Sequence, residues 1–278
     1  MSAASLVALR CRISDRDAGP MRGVDALAGA LGARLGVAPR LIGTPAEPRN
    51  APWGDDLTEA RGCLLEAGGQ VDDALEAGSP PVLVASDCAI GLTTLPTVAR
   101  HRPDARFLWL DAHGDFNTPK TTTSGFLGGM ALAGACGGWD AGLAGSVDPA
   151  QVVLAGVRDL ESAERAALEA SAVTVIGASL ETLVYTQNAL DRAPVFVHLD
   201  LDVLDPEAFP AWMPAPDGLS PDKLYDLLEA VAGECEVIGL EVTNAHVPEH
   251  GEARAMVSTA MHVLEPLSET LSPGIERR

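Results

Sequence analysis

The feature of this sequence that most constrains its fold is an alternation between short apolar runs and longer segments with helical spacing. Most of the short runs are continuously apolar, which is typical of parallel strands covered on both faces. Alternation of this kind predicts an α/β fold in which helices cover both faces of a doubly wound sheet. The predicted strands are residues 5–13, 40–42, 81–85, 106–110, 151–156, 173–176, 194–201 and 235–242. The predicted helices are residues 24–35, 57–77, 92–101, 161–170, 180–190, 221–232 and 252–271.

The pattern continues without a long linker or an internal repeat, so we expect residues 1–278 to form a single domain.

The charge balance excludes two classes of binding partner. With 39 acidic residues against 19 Lys and Arg, the formal net charge is −20. Such a chain is a poor partner for nucleic acid or for an anionic membrane surface. We therefore expect neither partner, and no apolar run reaches the ~18 residues needed to span a bilayer.

The cysteines give a prediction about the cellular setting. The chain has Cys11, Cys63, Cys88, Cys136 and Cys235, an odd number without a CxxC spacing. Neither a disulfide framework nor a zinc ribbon is therefore predicted. A reducing, cytoplasmic setting fits this pattern, and the N-terminal apolar stretch is too short for a secretory signal.

Polar residues cluster where the predicted strands end, which is where parallel sheets bind ligands. Two trios have a spacing of two residues: Asp111, His113 and Asp115, and His198, Asp200 and Asp202. Extended backbone points alternate side chains to one side, and packed carboxylates repel one another unless cations lie between them. Carboxylates with one imidazole suit Mn²⁺ or a similar ion, so the trios predict a site for two cations. The role of His198 stays open between a metal ligand, a packed strand residue and a hydrogen-bond donor to a ligand, which we favour.

The segment 111–125 resembles the arginase subgroup of the ureohydrolase family, which comprises arginases, agmatinases and relatives. Residues 156–164 resemble the arginase segment that contacts the α-amino group of the substrate. The resemblance implies a three-layer α/β/α sandwich around a mostly parallel eight-stranded sheet. It also implies two Mn²⁺ ions and hydrolysis of a guanidino group, in which a hydroxide between the ions attacks the guanidinium carbon.

The resemblance also implies a role for individual residues. One ion would be held by Cys88, Asp111, Asp115 and Asp200, and the other by Asp111, His113, Asp200 and Asp202. Asp115 and Glu241 would be catalytic carboxylates, and Glu241 would also hold the guanidinium group. Asn117 and Ser124 would contact the α-carboxylate, and Asp159 and Glu161 the α-amino group. Because agmatine has no α-carboxylate, this set favours a guanidino α-amino acid as the small-molecule partner.

Two positions depart from the family pattern. Cys88 replaces a His ligand, and a soft thiolate prefers Zn²⁺, Fe²⁺ or Co²⁺ to Mn²⁺. Alternatively, Cys88 is simply a small buried residue and one ion has lost a ligand. Gly128 replaces a His that passes protons to the leaving amine, a contribution typically worth ~10²–10⁴-fold. Losing that imidazole would open space beside the guanidinium group for an N-hydroxyl oxygen.

Together with Phe126, these departures resemble the branch of the family that converts Nω-hydroxy-L-arginine to L-ornithine and hydroxyurea in antibiotic biosynthesis. We therefore expect that reaction. The alternatives are an ordinary arginase, hydrolysis of another guanidino acid, and a non-catalytic metal-binding relative. A homo-oligomer is also left open by the sequence.

Overall fold

The computed structural model, which describes residues 2–143, 145–251 and 253–272, is built on one eight-stranded sheet. The strands are β1 (Ser5–Leu9), β2 (Arg40–Ile42), β3 (Pro81–Val84), β4 (Arg106–Leu110), β5 (Val152–Val157), β6 (Thr174–Gly177), β7 (Val195–Asp200) and β8 (Val237–Thr243). Their spatial order is β2-β1-β3-β8-β7-β4-β5-β6. Every paired neighbour runs parallel, so the sheet is more regular than the mostly parallel one that we expected.

Helices cover both faces of the sheet. They are α1 (Gly19–Leu35), α2 (Trp53–Glu76), α3 (Gly91–His101), α4 (Ala131–Ala135), α5 (Ser162–Glu169), α6 (Thr182–Leu190), α7 (Pro221–Glu234), α8 (Ala253–Val263) and α9 (Glu265–Leu271). Helices α1, α7, α8 and α9 pack into one hydrophobic core, and α2, α3 and α4 into the other. The predicted three-layer α/β/α sandwich is therefore confirmed.

Alternation along β4 shows how one strand serves both cores. Leu108 and Leu110 pack into the core under α1 and α7, whereas Phe107 and Trp109 pack into the core under α2 and α3. By the same alternation, Asp111 follows on the side of Phe107 and Trp109. Asp111, the first polar residue after β4, therefore lies on the face of the sheet that α2 and α3 cover.

The structure differs from the sequence predictions at the last helix. The segment 252–271, predicted as one helix, forms two helices that meet at Leu264, and Glu252 itself lies outside the described residues. Pro266 in the first turn of α9 explains the break, because proline cannot donate the backbone hydrogen bond that a continuous helix requires. No helix in the described ranges combines the length and apolar character needed to cross a bilayer.

The expectation of no disulfide was wrong. Cys11, just after β1, is bonded to Cys63 in α2, and their Cα atoms lie 6.4 Å apart. Cys88, Cys136 and Cys235 are free thiols. The two bonded cysteines are 52 residues apart in sequence, so their pairing depends on the packing of α2 beside β1 rather than on any local spacing. This bond also weakens the argument from cysteine usage for a reducing compartment.

Candidate active site at the carboxyl edge of the sheet

A cavity of about 140 Å³ lies at the carboxyl ends of β3, β4 and β7. Of the residues predicted for the site, all but Glu241 line it. They are the six predicted metal ligands, Cys88, Asp111, His113, Asp115, Asp200 and Asp202, and the five predicted substrate contacts, Asn117, Ser124, Gly128, Asp159 and Glu161. The tertiary structure therefore brings together segments that are more than 100 residues apart, as in the pair Cys88 and Asp200.

Backbone hydrogen bonds orient three of the carboxylates in the same way. Oδ1 of Asp111 accepts from the backbone N–H of His113 at 2.7 Å, and Oδ1 of Asp200 accepts from that of Asp202 at 2.8 Å. Oδ1 of Asp202 accepts from the N–H of Ala112 at 3.0 Å. Because one oxygen of each carboxylate is held by the chain, the other oxygen of each is directed toward the neighbouring side chains of the cluster.

On one side of the cluster lies the Cys88 thiol. Its Sγ is 3.0 Å from Oδ2 of Asp200 and 4.0 Å from Oδ2 of Asp111. The hydroxyl of Thr243, at the end of β8, lies 3.2 Å from the same Sγ and donates to Oδ2 of Asp200 at 3.1 Å. Cys88 therefore lies among the carboxylates, where the resemblance predicts a metal ligand.

On the other side lies the imidazole of His113. Its Nδ1 is 3.0 Å from Oδ2 of Asp202 and 3.4 Å from Oδ1 of Asp111. His113, Asp111 and Asp202 offer ligand atoms within 4.8 Å of one another, a spacing at which one cation could contact all three. Asp115, whose backbone has φ of 48°, completes the cluster.

The electrostatics of the cluster fit the binding of cations. Burial, together with the charge of Asp111, raises the pKa of Asp115 well above its usual value. Burial and the charge of Asp200 do the same to the pKa of Asp202. Burial alone would lower the pKa of His113, but the surrounding carboxylates raise it to about 12. Because Oδ2 of Asp115 is also buried without a partner among the described residues, the donor set fits divalent cations that would replace these protons.

Ser124, Asp159 and Glu161 are the exposed or partly exposed predicted substrate contacts at the mouth of the cavity, and the loop that carries Ser124 is tied to α5. Oε2 of Glu161 accepts hydrogen bonds from the hydroxyl and the backbone N–H of Thr123, at 2.8 and 3.2 Å. Glu161 also forms a capping box with Glu164 at the start of α5. Ser124 is therefore held close to Glu161, as binding of one α-amino acid by both would require, while the buried Asn117 lies deeper.

Gly128 lies where we expected empty space, and that expectation was wrong. The ring of Phe126 packs against Gly128, so a Cβ at Gly128 would lie 2.5 Å from Cε1 of Phe126. Phe126 is held by an edge-to-face contact with Trp212, at 5.1 Å between centroids, and by the guanidinium of Arg16 at 5.3 Å. An aromatic ring, rather than a gap, therefore lies at the position where the resemblance implies an imidazole.

Glu241 is fully buried in β8 and is not among the residues that line the cavity. Its Oε1 lies 2.6 Å from Nδ1 of His198, whose ring stacks on Trp109 with 3.5 Å between centroids. The contact of Glu241 with the guanidinium group therefore stays a prediction. His198 pairs with Glu241 rather than donating to one of the predicted ligands.

Several cavity residues were not predicted. They are Ser86, Asp87, Phe126, Gly129, Glu164, Trp212, Met213 and Asn244. Asn244 follows β8, and its Nδ2 donates to the carbonyl of Trp212 at 3.0 Å and lies 3.5 Å from Oδ2 of Asp202. Its position at a strand end was the available signal. Trp212 and Met213 lie in an irregular loop, whose path no local pattern indicates.

Arg158 also has a role that the sequence did not indicate. Its guanidinium donates to the backbone carbonyls of Asp202 at 2.8 Å, Leu204 at 3.1 Å and Ala215 at 2.9 Å. These bonds fix the chain after β7 to the chain after β5. Arg158 therefore supports the backbone that carries Asp202.

Comparisons with known proteins identify the class to which this fold and site belong. Residues 50–267 match the arginase family, and the chain belongs to that family. It is therefore an amidinohydrolase, a hydrolase of C–N bonds in linear amidines, in a family that depends on two metal ions and binds small guanidino substrates. Similarity to an N(omega)-hydroxy-L-arginine amidinohydrolase from Streptomyces lavendulae reaches 37% identity, over 94% of this chain and 96% of that protein.

Arginases are similar over a smaller part of the sequence and over nearly all of the fold. An arginase from Bacillus caldovelox is 32% identical over 60% of this chain and 61% of its own length. A solved structure of B. caldovelox arginase superposes with a TM-score of 0.85, covering 96% of this chain and 98% of that chain at 24% identity. An arginase structure from Bacillus subtilis gives a TM-score of 0.79, with coverage of 96% and 98% at 23% identity. These superpositions confirm the predicted fold.

Proposed function

We propose that this chain hydrolyses Nω-hydroxy-L-arginine to L-ornithine and hydroxyurea. The observation that carries the proposal is the cavity wall at Gly128 and Phe126, which presents a glycine and an aromatic ring beside the acidic cluster. Without an imidazole general acid at this wall, a reaction has to proceed with less help to the leaving group. An N-hydroxyl group withdraws electrons and lowers the basicity of the guanidine, so this substrate needs less help than arginine.

The similarity to the Streptomyces enzyme supports the same substrate over most of both chains. Since Phe126 fills the space beside Gly128, the preference rests on leaving-group chemistry rather than on an emptied pocket. Plain arginine is the main competing substrate, because arginases are also similar to this chain, although over a shorter stretch of the sequence.

The α-amino acid end of the substrate would lie at the mouth of the cavity. Ser124 and Asn117 offer polar side chains for an α-carboxylate, and the carboxylates of Glu161 and Asp159 offer acceptors for an α-ammonium group. Because Thr123 already binds one oxygen of Glu161, that carboxylate has a fixed orientation before substrate arrives. Such preorganisation reduces the entropic cost of binding.

Two divalent ions would be held by the predicted ligand sets, with Asp111 and Asp200 shared. Bound there, they supply a nucleophile by lowering the pKa of water, and they stabilise developing charge. We propose Mn²⁺ for both positions, with Zn²⁺, Fe²⁺ or Co²⁺ as the alternatives on the Cys88 side, where a thiolate favours softer ions. The residues of the chain orient the substrate, and Asp115, buried in the cluster, would act as a catalytic carboxylate by helping to hold the ion on the Cys88 side.

Three expectations stay predictions: a cytoplasmic setting, assembly into a homo-oligomer and a place in antibiotic biosynthesis. Neither nucleic acid nor a membrane is part of the proposed activity.

A competition assay tests the proposed substrate. Purified chain loaded with Mn²⁺ would be given L-arginine and Nω-hydroxy-L-arginine together, with ornithine, urea and hydroxyurea measured separately. We expect hydroxyurea to dominate, and an equal or higher kcat/KM on arginine would refute the preference.

Two variants extend the assay. Ser124→Ala should raise KM for Nω-hydroxy-L-arginine but not for its decarboxylated analogue, because Ser124 is assigned to the α-carboxylate. Gly128→His combined with Phe126→Ala, which makes room for the imidazole, should raise activity on arginine relative to Phe126→Ala alone. An unchanged arginine rate would argue that the missing imidazole does not set the substrate preference.

A further inference from the structure

Beneath the acidic cluster lies a second layer of side chains from the same three strands. Trp109 on β4 is opposite His198 on β7, and His198 is opposite Glu241 on β8. Asp111 and Asp200 come two residues after Trp109 and His198, so they occupy the next layer on the same face. The Trp109–His198–Glu241 layer, which takes its name from these residues, therefore forms the floor of the proposed metal centre.

Two contacts fix the imidazole of His198 within this layer. The ring lies parallel to Trp109, with 7° between planes and 3.5 Å between centroids. Nδ1 lies 2.6 Å from Oε1 of Glu241, and both residues are almost completely buried. A carboxylate on Nδ1 favours the tautomer with its proton on that nitrogen, which leaves the lone pair on Nε2.

Nε2 of His198 is buried and has no hydrogen-bond partner among the described residues. Leaving a buried polar atom unpaired typically costs ~1–3 kcal/mol, so such an atom calls for an explanation. Nδ1 is occupied by Glu241, and His198 still offers a ring nitrogen within 4.8 Å of both Cys88 and Asp111 ligand atoms. Because Nδ1 is bound to Glu241, Nε2 is the ring nitrogen left to bind a cation together with Cys88 and Asp111.

We infer that His198 is a further metal ligand on the Cys88 side, and that Glu241 is a positioning residue that orients it. The resulting donors are a thiol sulfur, an imidazole nitrogen and a carboxylate oxygen, from Cys88, His198 and Asp111. A set of sulfur, nitrogen and oxygen donors suits Zn²⁺ or Co²⁺. This inference rests on the proposed metal centre and is independent of the identity of the substrate. The other carboxylate oxygen of Glu241, Oε2, has no partner among the described residues, so this positioning role leaves the predicted guanidinium contact open.

The test is a Co²⁺ titration of the metal-free full chain without substrate, followed by optical absorption and by direct measurement of bound metal. His198→Asn is the informative variant, because the asparagine amide can still donate to Glu241 while Nε2 is deleted. We expect one of two Co²⁺ ions to bind at least about 10- to 100-fold more weakly, because losing a ligand should cost no less than losing a group that supports one. The thiolate-to-Co²⁺ charge-transfer band should shift as well, since the ion bound by Cys88 changes its ligands.

His262→Asn is the matched control. His262 also stacks on an aromatic ring, Tyr225 at 5.2 Å, and also pairs with a carboxylate, Asp222 at 3.1 Å, but it is partly exposed. Its variant should bind both ions as the original chain does. If His198→Asn binds both ions with unchanged affinity and spectrum, the inference is wrong and His198 only packs.

Glu241→Gln separates the two roles of that residue and serves if His198→Asn does not fold. A positioning role predicts weaker binding of one Co²⁺ ion in the absence of substrate. Unchanged Co²⁺ binding would overturn the positioning role, whatever the effect of the variant on KM. Because the titration contains no substrate, a negative result would refute the role of His198 without refuting the proposed substrate, which the Nω-hydroxy-L-arginine assay tests separately.

Discussion

Gly128→Ala and Gly129→Ala form a matched pair that tests whether the Phe126 ring closes the cavity wall. A Cβ on Gly128 would lie 2.5 Å from Cε1 and 2.9 Å from Cζ of Phe126, whereas one on Gly129 would lie 3.9 Å from Cδ1. Neither glycine has a positive φ, so both substitutions gain a similar ~0.4–1 kcal/mol by restricting the unfolded chain. The difference between their free energies of unfolding therefore isolates the steric contact.

Overpacking a filled space typically costs ~1–3 kcal/mol. Phe126 is only half-buried and its ring can rotate outward, so we expect a difference of about 1 kcal/mol, at the lower end of that range. Because the displaced ring also lines the cavity, kcat/KM on Nω-hydroxy-L-arginine should fall about tenfold in Gly128→Ala, which corresponds to ~1.4 kcal/mol. Gly129→Ala, whose Cβ would be in ordinary contact distance of the ring, should lower kcat/KM less than Gly128→Ala does.

Urea unfolding and steady-state kinetics of both variants give the two quantities. In the double variant Phe126→Leu/Gly128→Ala the smaller side chain should relieve the contact, so its effects should be smaller than the sum of the single effects. Equal free energies of unfolding and equal kcat/KM for the two alanine variants would refute the idea that Phe126 packs tightly on Gly128.

Three further predictions concern stability. Arg12→Ala should lower the free energy of unfolding by about 3–5 kcal/mol, because it leaves the buried Asp56 carboxylate, which Arg12 binds at 2.7 Å, without a partner. A shift in the urea midpoint no larger than that of a typical surface substitution would contradict this. Cys63→Ser should cost about 2–4 kcal/mol under oxidising conditions and nothing in excess reductant, since it removes the bond to Cys11; equal losses in both conditions would contradict the disulfide. The pKa of Asp115 is raised above 3.8, so the metal-free chain should lose stability as pH rises beyond that value. Metal binds only to deprotonated ligands, so the difference in Tm between Mn²⁺-loaded and chelated protein should grow as pH rises. A difference in Tm that does not change with pH would count against the ligand set.

Much of the fold was predictable because the determining signals are local. Strands β2 and β4 begin and end at the predicted residues, and the other strands differ by a few residues at their ends. The continuous apolar runs reflect burial on both faces, which any doubly wound sheet imposes. Helix α4 was missed because its five residues, with glycine and alanine around it, give no helical spacing of apolar side chains.

The sequence by itself determined which residues could form the site. Polar residues at strand ends must meet at one edge of a parallel sheet, so Asp111 and Asp200 could be assigned to the same site before any contact was known. The resemblance to arginases added the substrate loop through matched motifs, and it added Cys88 by its position in place of a family His.

Only the tertiary structure decided which of these residues contact one another. The register between β7 and β8 places Glu241 opposite His198, and that pairing takes Glu241 away from the cavity wall. The packing of Phe126 on Gly128 and the bond between Cys11 and Cys63 likewise join groups whose local spacing carries no signal. The spacing of apolar residues predicts whether a side chain is buried and which face of the strand or helix carries it. The register and packing between segments determine which residues it contacts.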